Sequence, residues 1–316
     1  MSAWNLPKAI EIKEVGTRDG FQLEKSIIPT DEKVRIINAL SRTGIKEIQV
    51  TSAVHPKAVP QLADAEEVMA KIDRVPGVLY SVLVPNLRGA NRALAMEADE
   101  WELMLSVTES HSIANSNRSV DAVLEEHTKV VDLAVANGVQ VRGSMATTFG
   151  CPFEGRVPFE RVQYVVQAYY DMGVRSISAA DTIGVADPKL VFNTMSKLIH
   201  QFPDVQFNLH LHNTRQMGLA NVIAGIQAGV RSFDSSIGGL GGCPYAPGAT
   251  GNISTEDTVH MLHLMGIETT IDLAKVLDVT KEVHQLVHHD LESSIYRAGV
   301  SYQIHEAPKT QEKVGE

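Results

Sequence analysis

Hydrophobic and polar residues along the chain follow two alternating periods. Eight short runs are rich in apolar and β-branched residues, as buried strands are, and longer stretches with helical spacing separate them. The predicted strands lie at 9–16, 46–52, 78–84, 100–107, 139–147, 174–181, 205–212 and 230–238. The clearest predicted helices lie at 31–43, 119–137, 158–172, 188–202 and 216–228. This alternation predicts one α/β domain.

Eight strand–helix units is the number that closes a (β/α)8 TIM barrel, which is the fold we predict. A doubly wound sheet has the same rhythm, but no GxGxxG motif follows the first strand. Polar strings follow several predicted strands, and a barrel gathers them at one mouth. They lie at 14–20, 50–56, 178–184, 210–214 and 235–242. Helical patterns after Glu256 predict a small C-terminal helical extension. We expect one catalytic domain over 1–304 and a polar C-terminal tail over 305–316.

Composition narrows the functional class. The chain has 316 residues, 44% of them hydrophobic, and a formal net charge of −10, which argues against a nucleic-acid or anionic-membrane surface. No run of about 18 uncharged apolar residues occurs, so we expect no membrane partner. Cys151 and Cys243 are the only cysteines, and no export signal is apparent at the N-terminus. These features favour a reduced, cytoplasmic protein, and they leave monomer and homodimer open.

Two histidines end the seventh predicted strand. His210 and His212 are two residues apart, so their rings point to the same side of the strand and are suited to bind a metal. A hydrogen-bonded structural pair is the alternative. Asp19 follows the first strand between Gly16 and Gly20, where it can complete a metal site or form an Asx turn.

Two further residues stand in loops that follow strands. Arg18 can offer a fixed cation to a substrate oxygen, or form a surface ion pair. The segment 235–252 carries six glycines around Cys243, which is typical of a mobile functional loop. Cys243 is a candidate general acid or a small buried side chain. The chain contains no nucleophile elbow and no Walker loop.

Several strings together resemble the 3-hydroxy-3-methylglutaryl-CoA lyase family, which belongs to a wider group of metal-dependent barrels that cleave or form carbon–carbon bonds. The strings are EVGTRDGFQLEK, HPKAVPQLAD, FGCPFEG, DTIGV, HLHNT, SSIGGLGGCPYAPGATGN and STEDTVHML. They cover nearly the whole chain in the family's order. GLGGCPYA is the most specific, whereas R-D-G and H-x-H are shared with isopropylmalate and homocitrate synthases and with aldolases.

The resemblance implies a role for each matching residue. One divalent cation, Mg²⁺ or Mn²⁺, is expected on Asp19, His210, His212 and Asn252. Arg18 is expected to stabilise the developing oxyanion, Asp181 to assist proton transfer from the tertiary hydroxyl, and Cys243 to protonate the acetyl-CoA enolate. Gln22 and Glu256 match positions near the substrate, and Lys25 matches one that meets a CoA phosphate.

The chain departs from the family's pattern around the expected site. Gln49 stands where the family usually has Glu, which removes a negative charge that would orient Arg18. Ala180 precedes Asp181 in place of the usual Gly, and Asn213 and Arg215 replace Asp and Tyr. These changes favour the same reaction on a different acyl group, with Gln49 near the substrate and Arg215 paired with a second carboxylate.

The sequence therefore predicts an acyl-CoA lyase. It is expected to cleave 3-hydroxy-3-methylglutaryl-CoA, or a related 3-hydroxyacyl-CoA, to acetyl-CoA and a 3-oxo acid. Two alternatives stay open. One is a hydroxy-oxo-acid aldolase or acetyl-CoA condensing enzyme of the same barrel group. The other is a catalytically silent barrel that binds an acyl-CoA or a carboxylate. Gln49 and Asn213, which replace acidic residues of the family, suggest this alternative.

Overall fold

Eight parallel strands pair in sequence order, and β8 returns to β1, so the sheet closes into a barrel. A computed structural model of the protein describes residues 6–242 and 251–304. The strands are β1 (Glu11–Glu14), β2 (Glu47–Ser52), β3 (Leu79–Leu83), β4 (Glu100–Ser106), β5 (Gln140–Ala146), β6 (Ser176–Asp181), β7 (Gln206–Leu211) and β8 (Ser232–Ser235). Each overlaps a predicted run, and the predicted (β/α)8 TIM barrel is confirmed.

Helices surround the barrel and connect its strands. They are α1 (Thr30–Leu40), α2 (Ala65–Lys71), α3 (Leu87–Ala95), α4 (Glu109–Ser116), α5 (Val120–Ala136), α6 (Phe159–Asp171), α7 (Pro188–Gln201), α8 (Gly218–Ala228), α9 (Thr255–Leu264), α10 (Leu273–Val287) and α11 (Ser294–Ala298). Short helical turns lie at Gly16–Gly20, Phe21–Leu23, Pro60–Leu62 and Ile237–Gly239. The five clearest predicted helices correspond to α1, α5, α6, α7 and α8.

Local sequence signals set where the helices begin and end. The Ser119 side chain accepts a hydrogen bond from the backbone N–H of Ala122 in the first turn of α5. Asp187 accepts two such bonds at the start of α7, where Pro188 occupies the first helical position and needs no donor. Gly229 ends α8 with a φ of 111°, a left-handed conformation that favours glycine.

The barrel interior contains a group of buried ion pairs, here called the interior charge cluster (Lys13, Glu47, Glu100, Glu102 and Arg142). Lys13 Nζ lies 2.6 Å from Glu47 Oε1 and 2.7 Å from Glu102 Oε2. Arg142 reaches Glu47 at 2.8 Å and Glu100 at 3.0 Å. Barrel interiors are more often filled by branched apolar side chains. Here apolar packing lies between the strands and the helices, and ion pairs fill much of the interior.

The C-terminal extension packs against the end of the barrel that follows β8. The backbone N–H of Glu292 donates to the carbonyl of Gly238 at 3.0 Å, and Asp257 accepts a bond from the N–H of Ile295 at 2.8 Å. The predicted helical extension is thus present as α10 and α11. The single domain over 1–304 stays a prediction, and the predicted tail, 305–316, lies outside the described residues. Among the residues described, no helix is both long and apolar enough to cross a membrane.

Candidate metal centre

His210 and His212 lie at the mouth of the barrel, where β7 ends. Their rings are on the same side of the strand, and their Nε2 atoms are 3.1 Å apart. Both side chains are buried, at 9% and 4% exposure. The residue between them, Leu211, points the other way into the apolar layer. The alternation along β7 therefore directs two potential ligand atoms to one point.

Asp19 approaches the same point from the turn that follows β1. Its Oδ2 lies 3.8 Å from His210 Nε2 and 4.0 Å from His212 Nε2. The turn needs glycine at position 16, because a Cβ there would lie 2.7 Å from a carboxylate oxygen of Glu14. In the described part of the chain, Asp19, His210 and His212 are the group whose ligand atoms converge closely enough to hold a metal ion.

Asp234 on β8 fixes the ring of His210. Its Oδ2 is 2.9 Å from His210 Nδ1, which leaves Nε2 facing Asp19 and His212. Burial disfavours a charged imidazole, but the hydrogen bond and charge of Asp234 raise the pKa of His210 above its ordinary value. Burial and then the charge of His210 lower the pKa of His212 to about 4, so His212 is neutral at pH 7. Neutral imidazole is the form that binds metals.

Asn252 stands beside His212 through an antiparallel backbone bridge. Its amide nitrogen donates to Asp19 Oδ2 at 2.7 Å and to the carbonyl of Leu240 at 3.0 Å. Its buried Oδ1 has no hydrogen-bond partner among the described residues. Rotation of the carboxamide by 180° would place this oxygen next to Asp19 Oδ2. Contact between the two oxygens is favourable only when a cation lies between them. The unpaired oxygen is an independent sign that a group binds here.

The distances and donor types fit a divalent cation. An octahedral ion with bonds of about 2.1 Å holds adjacent ligand atoms about 3.0 Å apart. The three separations at the site run from 3.1 to 4.0 Å, so a small contraction brings the atoms to coordination distance. Carboxylate and amide oxygens suit Mg²⁺ or Mn²⁺, and imidazole nitrogens are accepted by Mn²⁺ and its neighbours in the series.

Arg18 lies next to this ligand group and is 5% exposed. Its guanidinium donates hydrogen bonds to Asp19 Oδ1 and, through Nε, to Gln49 Oε1. Burial alone would raise the pKa of Asp19, but the charge of Arg18, with those of the two histidines, lowers it to about 2. Asp19 is therefore ionised across the physiological range, as a metal ligand must be.

A cavity of about 550 Å³ opens beside the ligand group, a size that suits a small organic molecule. At one end it is lined by Arg18, Asp19, His210 and His212. An apolar wall follows, formed by Val54, Ala58, Val59, Leu83 and Pro85. The far arm, beside α4, is polar and contains His111, Asn115, Ser116, Arg118 and Glu126. The cavity thus joins a charged end, an apolar wall and a polar arm.

Asp181 and Arg215 anchor the loop between β6 and α7 and do not line the cavity. Both carboxylate oxygens of Asp181 accept bonds from backbone amides of that loop, at 2.9 and 3.0 Å. Arg215 donates to two carbonyls of the same loop, at 2.9 and 3.0 Å. Burial raises the pKa of Asp181. The predicted proton transfer by Asp181 and carboxylate pairing by Arg215 stay predictions.

Glu256 is fully buried below the turn Ile237–Gly239 and does not reach the cavity. It accepts hydrogen bonds from the backbone N–H of Gly238 at 2.9 Å and from the hydroxyl of Thr280. Burial raises its pKa. The structure therefore shows Glu256 supporting the turn Ile237–Gly239, and the substrate contact predicted for Glu256 stays a prediction.

Gln22 lines the cavity and donates from Nε2 to Asp19 Oδ1 at 2.9 Å, so it also restrains the predicted ligand. Lys25 is exposed on the loop that follows. Cys243 lies outside the described residues. Its chain neighbour Gly242 is described and lines the cavity. The structure thus brings the start of the glycine-rich segment to the candidate site.

The departures from the family pattern fall in different places. Gln49 is fully buried and still contacts Arg18, so the loss of the usual Glu leaves Arg18 with a hydrogen-bond acceptor. Asn213 accepts a bond from the N–H of Gly218 at 3.0 Å, as an Asp could, and thereby supports the start of α8. Ala180 lines the cavity. Of these three changes, Gln49 and Ala180 bear directly on the site.

The sequence interpretation missed several cavity residues, among them Glu102, His111 and Ser144. A signal for Glu102 was present, because Glu100 and Glu102 alternate with apolar residues in β4, as inward-facing polar positions do. His111 lies on the short helix α4, and its Nδ1 is 2.7 Å from the hydroxyl of Ser106. The hydrophobic periodicity of a single sequence does not distinguish a cavity residue such as His111 from other polar residues on a short helix.

Known proteins match this chain over most of its length. The profile of the HMGL-like family matches residues 9–283. Hydroxymethylglutaryl-CoA lyase YngG of Bacillus subtilis is 43% identical over 287 residues, 91% of this chain and 96% of that protein. The mitochondrial hydroxymethylglutaryl-CoA lyase of Mus musculus is 41% identical over 297 residues, 94% of this chain and 91% of that protein.

Solved structures agree with these matches. The crystal structure of Bacillus subtilis HMG-CoA lyase has a TM-score of 0.91 and 42% identity, over 93% of this chain and 99% of that chain. An Acinetobacter baumannii HMG-CoA lyase in complex with coenzyme A and 3-methylmalate has a TM-score of 0.92 and 41% identity, over 98% and 100%. The resemblance found in the sequence is confirmed. The chain belongs to the HMGL-like family and is a carbon–carbon lyase similar to hydroxymethylglutaryl-CoA lyase.

Proposed function

We propose that this protein is a divalent-metal-dependent acyl-CoA lyase. Its substrate is 3-hydroxy-3-methylglutaryl-CoA or a related 3-hydroxyacyl-CoA, and its products are acetyl-CoA and a 3-oxo acid such as acetoacetate. The observation that carries the proposal is the convergence of Asp19, His210 and His212 at the charged end of the cavity. The names of the relatives, and the coenzyme A bound to the Acinetobacter protein, support the substrate class.

Four residues would hold the cation, Mg²⁺ or Mn²⁺. They are Asp19, His210, His212 and Asn252. When bound, such an ion lowers the pKa of a substrate hydroxyl and polarises the carbonyl that forms from it. Asp234 keeps the Nε2 atom of His210 directed into the site. Gln22 and Arg18 hold the other carboxylate oxygen of Asp19, so Oδ2, which accepts a bond from Asn252, is the oxygen that would bind the ion.

Cleavage begins when the tertiary hydroxyl loses its proton, and the electron pair of its O–H bond forms the new carbonyl. The carbon–carbon bond breaks, and its electron pair passes to the α-carbon, which gives the acetyl-CoA enolate. The enolate carbon then takes a proton. Arg18 places a permanent positive charge where negative charge develops on oxygen. We propose Asp181 for the hydroxyl proton, supported by its raised pKa and by its chain neighbours Ala180 and Thr182, which line the cavity.

Cys243 is the proposed donor of the proton to the enolate carbon. It directly follows Gly242, a residue that lines the cavity, which supports this role. A thiol has an ordinary pKa of about 8.5, which suits reversible proton transfer near neutral pH.

The remaining expectations concern the thioester and the setting of the protein. Lys25 is exposed close in sequence to Gln22 and Leu23, which line the cavity, so we propose it as a contact for a CoA phosphate. The net charge of −10 argues against a nucleic-acid partner. We propose a cytoplasmic location, and a homodimer as the assembly to test by light scattering.

Turnover across a substrate panel tests this function. The purified protein is stripped with EDTA and then assayed with and without Mg²⁺ or Mn²⁺ on several 3-hydroxyacyl-CoA thioesters, with mass-spectrometric detection of acetyl-CoA. Metal-dependent release of acetyl-CoA is expected. Cleavage of CoA-free hydroxy-oxo acids alone would favour an aldolase of the same barrel group. Acyl-CoA binding without turnover on any substrate would favour a silent binding barrel.

A further inference from the structure

Gln49 forms a hydrogen-bonded connection between the mouth of the barrel and its interior. Its side-chain oxygen accepts a hydrogen bond from Arg18 Nε. Its amide nitrogen donates to Glu102 Oε2 on β4. Gln49 is fully buried, and its own carbonyl accepts a bond from the hydroxyl of Thr17 at 3.0 Å. Both polar atoms of the Gln49 side chain, and its main-chain carbonyl, are therefore fixed by hydrogen bonds.

The direction of this connection is determined by chemistry. A guanidinium carries only donors and an ionised carboxylate carries only acceptors. Between Arg18 and Glu102, the carboxamide of Gln49 can satisfy both neighbours in a single orientation, with oxygen towards Arg18 and nitrogen towards Glu102. Polarisation by Glu102 makes the Gln49 oxygen a stronger acceptor for Arg18, because hydrogen bonds in series strengthen one another.

Glu102 is a charged residue with an unusual place. It belongs to the interior charge cluster, where Lys13 lies 2.7 Å from its Oε2, and it also lines the cavity. Although burial acts in the opposite direction, the charges of Lys13, Arg142 and Arg18 lower the pKa of Glu102 to about 2. A fixed negative charge thus lies one side chain away from Arg18.

We propose that Glu102 is a positioning residue that orients Arg18 through the carboxamide of Gln49. The family pattern places a carboxylate directly at position 49. In this chain that negative charge stands instead on β4, and Gln49 connects it to Arg18. The proposal rests on the role proposed above for Arg18, because its value to the enzyme is the orientation of that guanidinium towards the developing oxyanion.

The Glu that the family favours at position 49 is expected to be unfavourable in this chain. Gln49→Glu would place two carboxylates in hydrogen-bond contact with no proton between them, which is unfavourable in a buried site. The repulsion displaces the new carboxylate from Glu102, and Arg18 loses its orientation. Glu102→Gln removes the charge and leaves Gln49 free to rotate. The exchange of both residues restores one carboxylate and one amide.

The test compares Gln49→Glu, Glu102→Gln and the double exchange in the full-length, metal-loaded protein. Each single variant is expected to lower kcat about 10- to 100-fold, as small misplacements of a site residue do, with KM changed less than about threefold. The double exchange is expected to recover kcat to within about fivefold of the unchanged protein. Glu100→Gln is the matched control. It removes a carboxylate from the same strand and cluster, two residues from Glu102, and should keep kcat.

Crystal structures of the variants give a second readout that needs no substrate. In both single variants Arg18 should leave its position beside residue 49, and in the double exchange it should return. Single variants with full kcat and an unmoved Arg18 would overturn the proposal, as would a double exchange no better than the worse single variant. If Glu102→Gln does not fold, Gln49→Glu alone decides, since full activity there contradicts the repulsion. Failure of every acyl-CoA to react refutes the proposed function, and the position of Arg18 still decides this one.

Discussion

The barrel holds two groups of buried polar and charged side chains, one in its interior and one at its mouth, and they are built differently. In the interior, Lys13 has carboxylate oxygens of Glu47 and Glu102 within 2.7 Å, so opposite charges meet directly. At the mouth, the Nε2 atoms of His210 and His212 face each other at 3.1 Å. The interior pairs its charges with one another, whereas the mouth presents ligand atoms to a common point.

This difference separates charges that satisfy one another from ligand atoms that need a bound group. Burial of an unpaired polar atom costs free energy, so folds rarely keep one without a partner. At the mouth, both Asn252 Oδ1 and His212 Nδ1 are buried without a hydrogen-bond partner among the described residues. Convergent ligand atoms together with an unpaired oxygen indicate a bound group. The ion pairs around Lys13 need no such group to explain them.

The largest expected effect comes from removal of a ligand at the mouth. His212→Ala should lower turnover about 10³- to 10⁴-fold, because loss of the ion removes several kcal/mol of charge stabilisation. Divalent-metal binding, measured by calorimetry, should fall in parallel. Thermal unfolding should change little, because removal of the ring leaves no buried charge unpaired.

His260→Ala is the matched control for that variant. His260 is also a buried histidine, at 7% exposure, but it lies on α9 and bonds to Ser301. Its loss should leave turnover and metal binding within about twofold. Equal inactivity of the two variants, with both folded, would contradict the distinction between ligand and structural histidines.

The next largest effect belongs to the interior. Arg142→Leu leaves Glu47 and Glu100 without one of their positive partners, and loss of one member of a buried ion pair costs about 3–5 kcal/mol. Urea unfolding should show that loss in the free energy of unfolding. Lys281→Ala, which removes an exposed pair with Asp278, should leave the free energy of unfolding almost unchanged. A stable Arg142 variant that has lost metal binding would contradict the conclusion that Arg142 serves stability and the mouth serves metal binding.

Cys243→Ser is expected to have a smaller effect than loss of a ligand. A hydroxyl is a much poorer acid than a thiol, so turnover should fall about 10²-fold while metal and acyl-CoA binding persist. Cys151→Ser is the control, because Cys151 is buried and accepts a bond from the hydroxyl of Thr108 at 3.1 Å. Unchanged turnover in Cys243→Ser would exclude the thiol from the reaction and favour an aldolase-like mechanism.

The sequence alone predicted the barrel well and the mouth in part. Strand periods and helix caps are local signals, and the alternation in β7 already pointed His210 and His212 to one side. Contacts between distant strands leave no local signal. The position of Gln49 between Arg18 and Glu102 joins three segments, so the sequence showed the missing charge at 49 and not its replacement on β4. The same limit applies to Asp181 and Glu256, whose hydrogen bonds to loop backbones appear only in the fold.

The last expected effect is a pH dependence that arises in the interior. Burial, and then the charge of Glu47, raise the pKa of Glu100 from 4.5 to about 7. Between those values the folded protein binds a proton at Glu100 that the unfolded chain has lost. This contribution to stability is therefore complete below pH 4.5, and it is lost as the pH rises through about 7.

Glu100→Gln removes the titrating group. The free energy of unfolding of this variant, relative to the unchanged protein, should increase between pH 5 and pH 8, by about 1.4 kcal/mol for each unit of pKa shift. Urea titrations at four pH values measure it, with Glu125→Gln on the exposed face of α5 as control. A difference that stays constant with pH would mean that Glu100 is ionised throughout this range. All three carboxylates of the interior charge cluster would then be charged.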